Sequence, residues 1–193
     1  METMMKSLFT RILLFCCLLA VAGLFCQAQT LNHYPAGVEG VKGASLPPPG
    51  LWFRDYNYIY FSDFVKGESA PPAFDLFANV QAPRLVWITN QKVLGGFYGM
   101  DVLVPFVYQD LDVTGFSGND LSLGDIFVEP VTLSWHLDRF DISFGYGLWF
   151  PTGDFSQTNP ISPGKGFITH MLTGGITVYT DEEKKWSISA LSR

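Results

Sequence analysis

Two stretches of two-residue alternation decide most of what this chain can become. In residues 141–150 the even positions are Ile142, Phe144, Tyr146, Leu148 and Phe150, and the odd ones Asp141, Ser143, Gly145, Gly147 and Trp149. In residues 97–108 the even set is Tyr98, Met100, Val102, Val104, Phe106 and Tyr108, opposite a set that includes Gly99, Asp101 and Pro105. A period of two is the period of a β-strand, so each strand has one greasy face and one small or polar face. The greasy face can point into the core of a soluble sandwich or lipocalin-like barrel, or outward into lipid. Gly, Ser and a few Asp make a thin solvent-exposed surface, and only 16% of the chain is charged, against about 25% in an average soluble protein. A wet interior tolerates such a face more easily. The expectation is therefore an all-β, antiparallel transmembrane β-barrel of outer-membrane type.

Strand length points the same way. Alternating or β-rich runs occupy 51–61, 84–94, 96–109, 123–137, 139–150, 167–180 and 185–193. Several exceed ten residues, whereas strands of soluble folds are usually about 3–10 long and tilted membrane strands need about 9–11. The Gly95-Gly96 region and Leu137-Asp138-Arg139 read as tight turns, and 181–185 as a charged hairpin connection. Longer excursions are expected at 62–83, at 115–119 with Asp110 and Asp112 before it, and at 151–166. Short turns alternating with long loops suit a bacterial barrel. Seven strands is an odd number, and the sequence stops within an alternating run, Ser187 to Arg193. Since single-chain bacterial barrels have an even strand number and no open edge can face lipid, the barrel is expected to be incomplete in this chain.

The amino-terminal 28 residues read as a secretory signal. Lys6 and Arg11 precede the apolar run Ile12 to Phe25, and Cys26-Gln27-Ala28 resembles a cleavage site. As a helix that run rises about 21 Å, short of the roughly 30 Å of a bilayer core. All three cysteines (Cys16, Cys17, Cys26) fall in this segment, so disulfide, thiol and cysteine–metal chemistry are not expected beyond it. Residues 29–50, ending in Pro47-Pro48-Pro49-Gly50, read as an extended lead-in or lumen-occluding segment, and 51–193 as the barrel domain.

Other strands are less regular. In 51–60, Trp52, Arg54, Tyr56, Tyr58 and Tyr60 oppose Asp55 and Asn57, which places Arg54 in the interfacial zone of a lipid-facing side. Asp55, Asn57, Asp101, Asp141 and Ser143 are then the candidate lumen-lining residues, and their charge would disfavour anionic solutes. Glu129 shares a face with Phe127, Val131, Leu133 and Trp135. Either Pro130 marks a bulge that changes the alternation, or Glu129 lies near the membrane edge.

The chemistry of catalysis is not visible. His33, His136 and His170 lie in separate segments without metal-ligand spacing. Asp110, Asp112 and Asp120 read as a solvated loop surface and do not match a calcium loop. No nucleophile elbow or phosphate-cradling loop occurs. No basic stretch provides for nucleic acid, and the net charge is -6. Neither an enzymatic role nor a cofactor or bound metal is expected.

Several stretches in order resemble a known family. His33 to Gly40 with Pro47 to Gly50, then Leu123-Gly124-Asp125-Ile126 with Pro130 and Trp135, then Leu148 to Asp154, and finally Gly164-Lys165-Gly166 and Trp186, are similar to the outer-membrane transporters labelled "MetA-pathway of phenol degradation". Gly124, Asp125, Pro151, Thr152 and Gly153 carry its turn motifs. The resemblance implies a Gram-negative outer-membrane channel or transporter, with passive passage of small hydrophobic or aromatic compounds. It implies a lipid bilayer and the barrel-assembly machinery as partners, and further C-terminal strands in longer relatives. An exported soluble β-barrel or sandwich binding an apolar ligand, and a non-porous structural barrel, remain as alternatives.

Overall fold

The alternating runs form strands that pair with their sequence neighbours. The computed structural model describes residues 33–35, 37–67 and 71–193; the expected signal segment lies outside them. Among the described residues nine strands occur: β1 (Gly50–Ser62), β2 (Phe74–Val93), β3 (Gly96–Leu103), β4 (Phe106–Val113), β5 (Phe116–Leu123), β6 (Ile126–His136), β7 (Phe140–Phe150), β8 (Thr169–Tyr179) and β9 (Ser187–Ser192). Every pairing is antiparallel, and the sheet is curled into a half-barrel with no helix among the described residues.

These nine segments make seven continuous strands. β2 pairs with β4 through Gln81↔Phe106 and with β3 through Arg84↔Leu103, in one continuous register. β3 and β4 are thus halves of one strand, interrupted where Pro105 supplies no N–H for the ladder. β5 and β6 pair with those halves and are likewise one strand, offset by one residue at Gly124-Asp125. The order is a meander from β1 to β9.

Some boundaries differ from the expectations. The strand expected at 84–94 begins at Phe74 and is the longest, so the excursion at 62–83 shrinks to 63–73. The expected loop at 115–119 is a two-residue turn, Thr114-Gly115, with Gly115 at φ 88°, between β4 and β5. Asp110, Asp112 and Asn119 are rungs of that protruding hairpin, which has polar residues because it extends beyond the end of β7. Asp110 and Asp112 share one face and Asp120 the other, so the three carboxylates do not converge. The β2–β3 turn is Leu94-Gly95, both at positive φ (52° and 81°), as a two-residue hairpin turn that follows strand twist requires.

The sheet's two faces follow the alternation. Asp101, Asp141, Ser143, Thr173 and Thr177 are buried on the concave face, with the Phe127 and Trp149 rings packed among them, tilted by 37° at a centroid separation of 4.8 Å. Phe144, Leu172 and Ile176 are 42%, 63% and 41% exposed on the convex face. The small concave positions are small for a reason of space: a Cβ at Gly145 would overlap the Glu129 carboxylate, and one at Gly147 the Phe127 ring. Glu129 reaches this side through a bulge. Asp101 pairs with Glu129 but Gly99 with Thr132, so β6 holds one extra residue at Pro130-Val131.

β1 is reversed relative to the expectation. Arg54 and Tyr56 turn to the concave side, where Glu39 and Arg84 bond them. Asp55 and Asn57 therefore lie on the opposite, exposed face, where Asn57 meets Asn79. The inward pull of buried charge partners outweighs the preference of the aromatic side for lipid.

Candidate functional site

Arg84 organises the concave face. It stands mid-way along β2, and its guanidinium makes a bidentate pair with Asp101 on β3, Nε to Oδ1 and Nη2 to Oδ2, both 2.8 Å. Nη2 also reaches Glu129 Oε2 on β6 at 3.1 Å, and Thr173 on β8 donates to Glu129 Oε1 at 3.3 Å. Five donors in a fixed fork suit an arginine to this role, since a lysine could not bridge three strands in one plane.

The remaining donor edge points at residue 39 of the lead-in segment. Arg84 Nη1 lies 3.1 Å from Glu39 Oε1, and Arg193 Nη1 lies 2.8 Å from the same oxygen. Arg54 Nη1 and the Tyr56 hydroxyl donate to Oε2 at 2.8 and 2.9 Å. Four donors, three of them cationic, thus converge on one carboxylate. Burial alone would raise the Glu39 pKa, but Arg193, Arg84, the Tyr56 hydrogen bond and Arg54 together hold it below the ordinary carboxylate value.

Residues 37–48 lie as a strap on this face. Ala44 is fully buried, and a Cβ at Gly175 would meet its methyl at 2.7 Å. Lys42 Nζ donates to Lys184 O at 3.2 Å and stands over the Tyr179 ring; Trp52 Nε1 donates to Pro48 O at 2.9 Å. Among the described residues, no backbone–backbone hydrogen bond joins 37–48 to a strand. A cleft of about 320 Å³ opens between strap and sheet, lined by Leu46, Trp52, Tyr56, Arg54, Arg84 and Leu191 among others. The buried hydroxyls of Thr132 and Ser143, which have no protein partner, also border it.

The motif residues form a second construction, at the rim. The Asp125 carboxylate accepts from Gly153 N at 3.0 Å and Lys165 N at 2.9 Å, while Thr152 Oγ1 accepts from Ile126 N at 2.9 Å. Asp154 N donates to Leu123 O and Gly164 N to Asp154 O, both at 2.9 Å. A Cβ on Gly153 would stand 2.6 Å from the Gly124 carbonyl carbon. Gly124, Asp125, Thr152 and Gly153 therefore clasp the 151–168 loop to the β5–β6 junction, with Pro151 beginning the loop.

Of the candidate lumen residues, Asp101, Asp141 and Ser143 are on the concave face, and Asp55 and Asn57 are not. Asp101 belongs to the Arg84 network. Asp141 sits apart, accepting from the Tyr179 hydroxyl at 2.6 Å and lying 3.2 Å from His136 Nδ1. The concave face is accordingly not a surface of free acidic groups, because Asp101 is paired with Arg84 and Asp141 with Tyr179 and His136. Arg84, Glu39 and Arg193 were not singled out in the sequence. The signal that could find them is an arginine within an apolar alternating run, Arg84, together with Glu129 on the apolar side of its own alternation.

Neither the curated proteins nor the solved structures give a match. The family described as "Putative MetA-pathway of phenol degradation" matches residues 62–191, two-thirds of the chain and the whole span from the end of β1 into β9. The chain, an all-β antiparallel half-barrel with the Gly-Asp and Pro-Thr-Gly turns joined in one clasp, belongs to that family.

Proposed function

We propose that the chain forms the wall of an outer-membrane channel or transporter of a Gram-negative bacterium, passing small hydrophobic or aromatic compounds passively. One observation carries this reading: in β3, β7 and β8 the outward, convex face is apolar, while the buried concave face of the sheet carries Arg84, Asp101, Glu129 and Asp141. A soluble protein gains by the opposite arrangement, whereas lipid outside and a wet path inside stabilise this one. The family label, which names phenol degradation, supports aromatic compounds as the solute class. In this reading the bilayer and the barrel-assembly machinery are the partners, and no catalytic step occurs.

The test is flux. Liposomes containing the chain should release a small aromatic solute faster than protein-free liposomes, and washed outer membranes should retain the protein. Soluble, monodisperse protein in the periplasmic fraction would transfer the case to an exported ligand-binding β protein. A second reading, a non-porous structural barrel, is favoured by the packing of Phe127 and Trp149 on the concave face. It predicts membrane retention without flux.

A further inference from the structure

The Glu39 site has the composition of a receptor for a carboxylate. Arg54, Arg84, Arg193 and the Tyr56 hydroxyl present four donors to two oxygens at 2.8 to 3.1 Å. The occupant, however, is a side chain on a strap held to the sheet by side-chain contacts and the close packing of Ala44. If the strap withdraws, Arg54, Arg84 and the Tyr56 hydroxyl lose the carboxylate that they share with Arg193. Beside it, on the strand side of the cleft, Trp52 and Leu191 are offered to an apolar body.

We infer that the cleft is a binding site for small aromatic monocarboxylates, and that Glu39 is its built-in competitor. The solute's carboxylate takes the place of the Glu39 carboxylate between Arg54, Arg84 and Arg193, while its ring lies against Trp52 and Leu191. Arriving solute and docked strap exclude one another, so the strap sets the apparent affinity: the site binds only in the fraction of molecules whose strap is released. The same competition makes the strap a plug that an anionic solute dislodges. As a solute subsite this rests on the transport reading. Binding is measured in micelles and flux in liposomes, so either can fail without the other.

The probe is benzoate, titrated at neutral pH into the chain in detergent micelles and followed by calorimetry, with benzamide as the uncharged control. Glu39→Gln should tighten benzoate binding by about tenfold, because the competing charge is gone, whereas benzamide, which offers the arginines no anion, should bind neither form measurably. Adding Arg54→Gln to that variant should abolish the gain, since Arg54 is half exposed and removable without emptying the buried network. Should Glu39→Gln not fold, Lys42→Ala loosens the strap at its other anchor, leaves the arginines in place and should also tighten benzoate binding. Benzoate affinity in the folded variant equal to or below that of the unaltered chain overturns the inference, as does benzamide binding as tightly as benzoate.

Discussion

Replacing Arg84 by methionine tests whether the concave network is buried as drawn. Arg84 is 5% exposed, and its partners Asp101 and Glu129 are 4% and 2% exposed. Methionine preserves most of the unbranched stem, so the loss is electrostatic and leaves little cavity. The guanidinium's bonds to Asp101, Glu129, Glu39 and Tyr56 vanish together, leaving Asp101 and Glu129 as uncompensated buried carboxylates. Breaking a buried pair in this way costs about 3–5 kcal/mol. The assay is urea unfolding in detergent micelles, followed by tryptophan emission. Arg54→Met, at an exposed pair, should cost no more than about 1 kcal/mol. Adding Asp101→Asn and Glu129→Gln to Arg84→Met should recover most of the loss, because no buried charge is then left alone. A cost below about 1 kcal/mol for Arg84→Met would refute the reasoning, since that is the range of a solvated pair.

Three further outcomes follow from particular contacts. Gly147→Ala drives a methyl into the Phe127 ring and should cost roughly 1–3 kcal/mol, with Phe127→Leu in the same chain restoring much of it in a double-mutant cycle. Asp125→Ala removes the acceptor of two backbone N–H groups and should cost about 1–3 kcal/mol, while faster proteolysis within 151–166 reports the opened clasp; unchanged cleavage would count against the clasp. Glu39 is held below its ordinary value of 4.5 when docked, so its contribution to docking is complete above 4.5 and is lost as the pH falls through the lower docked value. Trp52 emission, isolated by difference from Trp52→Phe, should shift over that acid window, and Glu39→Gln should remove the step.

The sequence exposes the parts of this fold in which each residue reports its own environment. Residues 97–108 and 141–150 alternate cleanly because each strand borders one apolar and one packed surface, and both greasy faces are convex. The first half of β2 is hidden because its convex positions are Phe77, Asn79, Gln81 and Pro83, half of them polar and one a proline at a strand position. β4 and β5 resemble a loop because Asp110, Asp112 and Asn119 lie on a hairpin beyond the apolar zone. The clasp was legible as turn motifs but not as a contact, since Asp125 reaches Lys165 across forty residues. The Glu39–Arg84 pair spans forty-five residues and belongs to two different elements, so no local pattern marks it. It also reversed β1, whose alternation is the same whichever face turns inward.

The central claim is that the convex face meets lipid and the concave face meets solute and water. It is tested most directly by spin labels placed singly along β7 and β8 of the chain in lipid bilayers. Their collision rates with oxygen, which partitions into lipid, and with a water-soluble nickel complex are then compared. Positions 142, 144, 146, 172 and 176 should favour oxygen, and positions 143, 145 and 173 should not. A preference for the aqueous complex at 144, 172 and 176 would contradict it and place the apolar face in water.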